Sequence, residues 1–227
     1  MSYQKFFIMM LKNKESIRIS KMKIQLFKGV LYKNNYFYNL LDFLKNGKKK
    51  NLRFEIVKKL IKKRTSLIDV CGGCGWLKDH LDQSIKYTVA DASEEFGKIC
   101  KKKNINFIKL NCKNFNIIKS KFDFAVMIIS LYQFKNNLRK IIKNLKKISK
   151  KKIIIIEEIL PLNEAVSLKN IKKKIRDYLC SSNFYEKNNG LFSLLEFKIL
   201  MEKNKFKLNK KFIYNNILVG VFEIKSK

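Results

Sequence analysis

The chain has 227 residues, 46% of them hydrophobic, with 51 lysines and arginines against 18 acids, for a formal charge of +33. That length suits one sizeable core with an appendage, and no apolar run reaches the ~18 residues of a membrane span. Five cysteines and one histidine give no even disulfide framework and no zinc-like spacing of two ligand pairs, so no metal is expected.

The N-terminal 62 residues lack strand signals. Phe6–Leu11 is apolar but too short for a secretory core, and no small-residue cleavage site follows, which points to a cytoplasmic protein. Tyr36–Leu44 and Phe54–Ile61 show helical apolar spacing, separated by a loop at Gly47 and Lys48–Lys50. From Leu67 onward strand and helix patterns alternate, which argues for a parallel sheet. The run Leu67–Val70 ends at Cys71-Gly72-Gly73-Cys74-Gly75, where three of the eight glycines fall within four positions ahead of a helix start. Glycines there permit left-handed turns and close approach of backbone to a ligand. Lys86–Asp91 is a second strand, ending in an acid of the kind that accepts hydrogen bonds from ribose hydroxyls in doubly wound sheets. Asp91 also has a plainer use as a helix cap, although Ser93 is the better cap for the predicted helix Glu94–Lys103.

Ile105–Leu110 reads as a third strand, ending at Asn111-Cys112, and Lys121–Ser130 as a central fourth strand followed by Leu131-Tyr132-Gln133-Phe134. Leu138–Ile148 is an amphipathic helix, and the β-branched run Lys152–Glu158 suits a strand buried on both faces. Pro161 closes that region; Ala165–Cys180 reads as a helix and Ser181–Gly190 as a turn-rich insertion. Another helix begins near Phe192, with Ser193 and Glu196 at capping-box spacing. Phe206–Tyr214 and Ile217–Ile224 flank Asn215-Asn216 as a hairpin.

The glycine loop fails two common patterns. Placing Gly73 and Gly75 on a dinucleotide fingerprint puts Lys78 at its third glycine, and Gly75 is followed by Trp76-Leu77 rather than the Lys-Ser of a phosphate loop. Asp69-Val70-Cys71-Gly72-Gly73-Cys74-Gly75 instead resembles motif I of the class I S-adenosylmethionine-dependent methyltransferases, with Cys71 in place of the first glycine. Val89-Ala90-Asp91-Ala92-Ser93 resembles the second motif, Phe122-Asp123 resembles the opening of the family's fourth strand, and Lys152–Glu158 looks like its fifth. Asn111 stands where the family usually carries an acid.

The resemblance implies a Rossmann-like α/β fold: a seven-stranded, mostly parallel sheet with helices on both faces, a C-terminal antiparallel hairpin and N-terminal helices. It implies a helical cap over residues 1–62 and a methyltransferase domain over 63–227. It implies S-adenosyl-L-methionine as cofactor, held by Asp69, Cys71, Gly72, Gly73, Gly75, Asp91, Ala92, Asn111, Cys112 and Ile129. Asp91 would hold the ribose, Asn111 and Cys112 would edge the adenine, and Asp69 would orient the methionine amino group or fix the loop.

The acceptor side is less marked. Tyr132, Glu157 and Glu158 are the candidates for a general base there and Gln133 for orientation only, while Glu157 and Glu158 also read as solvated carboxylates on a strand end. Neither Asp-Pro-Pro-Tyr nor Asn-Pro-Pro-Tyr follows the fourth strand, and no cysteine directly follows the only proline, Pro161, so the usual nucleobase-methylating patterns are missing. Forty-six of the 51 cations are lysine, whereas sequence-reading nucleic-acid contacts favour the arginine fork. Lysine, asparagine and isoleucine share AT-rich codons, and the charge runs along the whole chain, as a compositional bias would. The reading is methyl transfer to the oxygen, nitrogen or carbon of a small molecule. An RNA methyltransferase and an inactive methyltransferase-like binding protein remain alternatives, and oligomeric state stays open.

Overall fold

A computed structural model describes residues 51–111, 115–159, 191–208 and 217–224. Its elements run α1 (Leu52–Leu60), β1 (Ser66–Val70), β2 (Lys86–Asp91), α2 (Glu94–Lys102), β3 (Asn106–Lys109), β4 (Phe122–Ile128), α3 (Leu138–Ile148), β5 (Ser149–Glu158), α4 (Leu194–Lys203), β6 (Lys207–Leu208) and β7 (Ile217–Glu223). Short 3₁₀ turns at Trp76–His80 and Leu131–Asn137 follow β1 and β4.

The strands lie in the order β3-β2-β1-β4-β5-β7-β6. The five strands from β3 to β5 pair in parallel, and β7 is antiparallel to both β5 and β6. This is the Rossmann-like sheet with an antiparallel C-terminal pair. The parts of the reading that fall on Tyr36–Leu44, Ala165–Cys180, Ser181–Gly190 and the Asn215-Asn216 turn lie outside the described residues.

Alternation along each strand divides the core between the two faces. Ile68, Val70, Ala125, Met127, Ile153 and Ile155 pack with Ile141, Ile142 and Leu145 of α3 and with Phe197 and Met201 of α4. Leu67, Tyr87, Val89, Val126, Ile154 and Ile156 pack on the opposite side with Phe54, Ile56 and Val57 of α1. Helix α1 is therefore part of the sheet's own core. The capping box at the start of α4 forms as its spacing predicts: the Glu196 amide donates to Ser193 Oγ, and the Ser193 amide donates to the Glu196 carboxylate at 2.7 Å.

Candidate active site

The strand order reverses between β1 and β4, which pair with each other while β2 lies on one side and β5 on the other. Connections leaving such neighbours diverge and open a crevice at the carboxyl ends of the strands. The Cys71–Gly75 loop forms one wall and the turn after β4 forms the other.

Backbone geometry explains the loop's composition. The Cys71 amide continues the β1–β2 ladder by donating to Ala90 O at 2.7 Å. Cys71, Gly73 and Gly75 then adopt φ of 60°, 55° and 71°. A side chain in that left-handed region costs ~1–2 kcal/mol, so Cys71 is a strained occupant of a position that suits glycine. Gly72 is needed for a different reason: a Cβ there would lie 2.6 Å from Asp69 Cγ and 2.7 Å from Oδ2. At Gly73 an added Cβ would meet only the Phe96 ring, at an ordinary contact distance of 3.7 Å, so a side chain there is opposed by backbone conformation and not by space. The expected helix beyond the loop is only the five-residue 3₁₀ turn Trp76–His80, entered from left-handed Gly75. His80 is tied off by Glu55 of α1, with Nδ1 2.9 Å from Oε1.

Two acids stand behind this loop. Asp69 is buried and accepts a 2.7 Å hydrogen bond from the Tyr87 hydroxyl. Burial pushes its carboxyl up to about 7, opposed by the Tyr87 bond, while the charge of Asp91 raises it further and that of Arg53 lowers it. Asp91, also buried, accepts from the Gly73 amide through Oδ2 at 3.1 Å and from the Ser93 amide through Oδ1 at 2.9 Å. Burial raises its pKa, and the amides of Ser93, Gly73 and Ala92 counter the rise. Ser93 caps α2, accepting from the Phe96 amide at 3.4 Å. The structure thus brings Asp69, Gly72, Gly73 and Asp91 into one contiguous cluster with Ala92. Neither acid has a salt bridge within 4.0 Å among the described residues, and Arg53 acts on Asp69 only as the smallest of the influences on it; buried carboxylates so weakly compensated favour a cationic ligand. A sulfonium nucleoside with a ribose diol and an amino group fits that donor and acceptor set.

Further along the same edge, the Leu110 amide donates to Asp91 O at 2.8 Å, which sets exposed Asn111 at the end of β3 close to Asp91. Cys112 lies outside the described residues. Cys74 and Cys100 are buried thiols, pushed up to about 12 and about 11 chiefly by burial. Among the described residues no group of three or more histidines, cysteines or acids could hold a metal ion.

Across the crevice, Ile129 takes φ 47°, an uncommon state for a β-branched residue. Its amide donates to Ile156 O at 2.7 Å. Tyr132 and Gln133 follow, with Gln133 Nε2 donating to the Tyr132 hydroxyl at 3.4 Å. Glu158 ends β5, half-buried and opposite Ile217 of β7. Glu157 corrects the reading of it as a solvated carboxylate, because it is wholly buried. Its Oε1 accepts from the amides of Ser130 at 2.9 Å and Leu131 at 2.5 Å, and burial pushes the carboxyl up to about 8 against those bonds. The available signal was strand parity: Glu157 is in phase with Ile153 and Ile155, which face α3. Tyr87, the partner of Asp69, was likewise missed.

The crossed-over sheet, the glycine loop and the acid ending β2 define a protein of the class I S-adenosylmethionine-dependent methyltransferase fold. The family described as methionine biosynthesis protein MetW matches residues 50–223, and the chain belongs to that family. Solved structures agree on the fold. An O-methyltransferase family protein from Burkholderia thailandensis has a TM-score of 0.59 at 12% identity, covering 78% of this chain and 58% of that one. This chain therefore spans less than two thirds of the Burkholderia protein. A SAM-dependent methyltransferase, possible histamine N-methyltransferase, from Thermotoga maritima has a TM-score of 0.59 at 18% identity, covering 86% of this chain and 98% of that one. A SAM-dependent methyltransferase from Aquifex aeolicus has a TM-score of 0.55 at 14% identity, covering 81% of this chain and 97% of that one. A comparison with curated protein sequences finds no match. S-adenosyl-L-methionine is the expected cofactor.

Proposed function

We propose that this chain transfers the methyl group of S-adenosylmethionine to a small-molecule acceptor, at oxygen, nitrogen or carbon. The observation that carries the reading is the 3.1 Å bond from the Gly73 amide to the Asp91 carboxylate. It sets the closely approachable backbone and the ribose-binding acid within reach of a single nucleoside. When bound, the cofactor supplies an activated methyl group. The protein's task is positioning, an effect worth up to ~7–11 kcal/mol in well-oriented systems. In this reading Asp91 keeps acceptor capacity for the ribose diol beside its two amide bonds. The Gly72–Gly75 backbone follows the adenosyl-methionine portion, with Cys71 and Ala92 at its flanks. Asp69 fixes the loop through Gly72 and offers its charge to the amino group. Asn111 and Cys112 edge the adenine, and Ile129 closes the methionine side.

On the acceptor side we assign Tyr132 or Glu158 as general base and Gln133 as an orienting group. A cap over 1–62 and a catalytic domain over 63–227 belong to the same proposal, although α1 packs within the sheet core. A cytoplasmic setting belongs to it too; no helix among the described residues is long and apolar enough to cross a membrane. The charge of +33 supports RNA as the alternative acceptor. Specific RNA binding that survives moderate salt would favour it.

Calorimetric titration with S-adenosylmethionine tests the reading. Asp91→Ala removes hydrogen bonds to a charged group, so its Kd is expected to rise at least about tenfold. Equal, weak binding by wild type and variant would remove the cofactor assignment.

A further inference from the structure

We infer that Glu157 is a positioning residue, whose buried carboxylate holds the turn after β4 in the shape that the transfer site requires. The inference rests on the reading of that site as a methyl-transfer crevice.

The turn is held at two consecutive points. The Ile129 amide is tied to Ile156 O at 2.7 Å, and the next two amides converge on Glu157 Oε1 at 2.9 Å and 2.5 Å. Between these anchors Ile129 is forced to φ 47°. The 3₁₀ turn Leu131–Asn137 has no side-chain cap of its own, because Ser130 Oγ is turned back to donate to Ile128 O at 2.9 Å. Glu157 supplies the missing cap from the neighbouring strand. Tyr132 and Gln133 follow immediately, so the direction in which they leave β4 is set by this contact.

The carboxylate is a poor choice if packing were its only task. Glu157 lies between apolar neighbours, and its Oε2 is buried with no hydrogen-bond partner among the described residues. A buried carboxyl oxygen left without a partner costs free energy that an apolar side chain of similar volume would not. A group that burdens the fold while enforcing an uncommon backbone conformation beside a crevice carries the signature of function.

The test compares Glu157→Gln and Glu157→Ala in the full chain. Glutamine keeps an acceptor for both amides, whereas alanine removes it. Two readouts are taken well below each variant's melting temperature: hydrogen exchange at the Ser130 and Leu131 amides, and Kd for S-adenosylmethionine. Alanine is expected to speed exchange at those two amides and to weaken binding by about tenfold, as misplacement of a binding wall does. Glutamine is expected to restore both to within about twofold of wild type. Wild-type binding by the alanine variant with the amides still protected overturns the inference, as does a glutamine variant that behaves like alanine. Should alanine fail to fold, a glutamine variant that has lost protection at both amides overturns it equally. Failure of the wild type itself to bind S-adenosylmethionine would instead strike the functional reading, and the amide exchange would still decide whether Glu157 holds the turn.

Discussion

Gly72→Ala is the sharpest local perturbation available. Gly72 has no left-handed backbone requirement, so only space forbids a side chain there. The added Cβ would lie 2.6 Å from Asp69 Cγ and 2.7 Å from Oδ2, roughly 1 Å inside normal contact. The Asp69 carboxylate must move, and its 2.7 Å bond from the Tyr87 hydroxyl breaks. Overpacking costs ~1–3 kcal/mol, and a buried hydroxyl left unpaired costs a further ~1–3 kcal/mol. Together these come to ~2–6 kcal/mol, and at ~2–4 °C per kcal/mol for a domain of this size Tm should fall by about 4–24 °C. Gly73→Ala is the control. Its Cβ has room, with the nearest atom at 3.7 Å, so it bears only the left-handed penalty of ~1–2 kcal/mol. Combining each change with Asp69→Ala, and following urea unfolding, completes two double-mutant cycles. The Gly72 cycle should show a favourable coupling above ~1 kcal/mol, because the two nearest obstructing atoms are gone and only Asp69 Cβ, at 3.0 Å, remains, and the Gly73 cycle should show almost none. Additive behaviour at Gly72, or equal costs for the two single variants, would refute the reasoning.

Two pH effects follow from the buried acids. Asp69 and Glu157 titrate at about 7 and about 8 in the folded protein, above their unfolded values of 3.8 and 4.5. The folded state holds these protons longer, so their contribution to stability is full below pH ~4 and is lost as pH rises to ~8, on the order of 4 kcal/mol each. Urea midpoints should therefore fall between pH 5.5 and 8.5, and Asp69→Asn with Glu157→Gln should flatten the trend; a midpoint that rises with pH would contradict it. Affinity for the cationic cofactor moves the other way, because an ionised Asp69 favours it. Kd should fall about eightfold from pH 6 to 7.5 in wild type and stay level in Asp69→Asn. A flat wild-type profile by calorimetry would remove Asp69 from cofactor recognition.

Features that are local in the chain were legible. Ser93 and Glu196 announce their helix starts by spacing, α3 is visible in its apolar periodicity, and Asp91 stands at the end of a short strand-like run. Features set by contacts between elements were not. The Tyr87–Asp69 bond joins neighbouring strands 18 residues apart, and nothing near either residue signals it. Strand β5 begins at Ser149, well before its apolar run, because Ser149 pairs with Phe122 of β4 and the register then shifts across exposed Lys150 and Lys151 before regular pairing resumes at Lys152. The short turn after Gly75 follows from a left-handed backbone state that composition permits without requiring. Glu157 looked solvated because a terminal acid usually is. Its burial follows from the turn folding back over the end of β5.

The most direct test of the central claim is a crystal structure of the full chain with S-adenosylhomocysteine. Both ribose hydroxyls should lie within hydrogen-bonding distance of the Asp91 carboxylate, and the homocysteine portion should run along Gly72–Gly75. A nucleoside seated away from the β1–β4 crevice, or a ribose that leaves Asp91 bonded only to its two amides, would contradict the account.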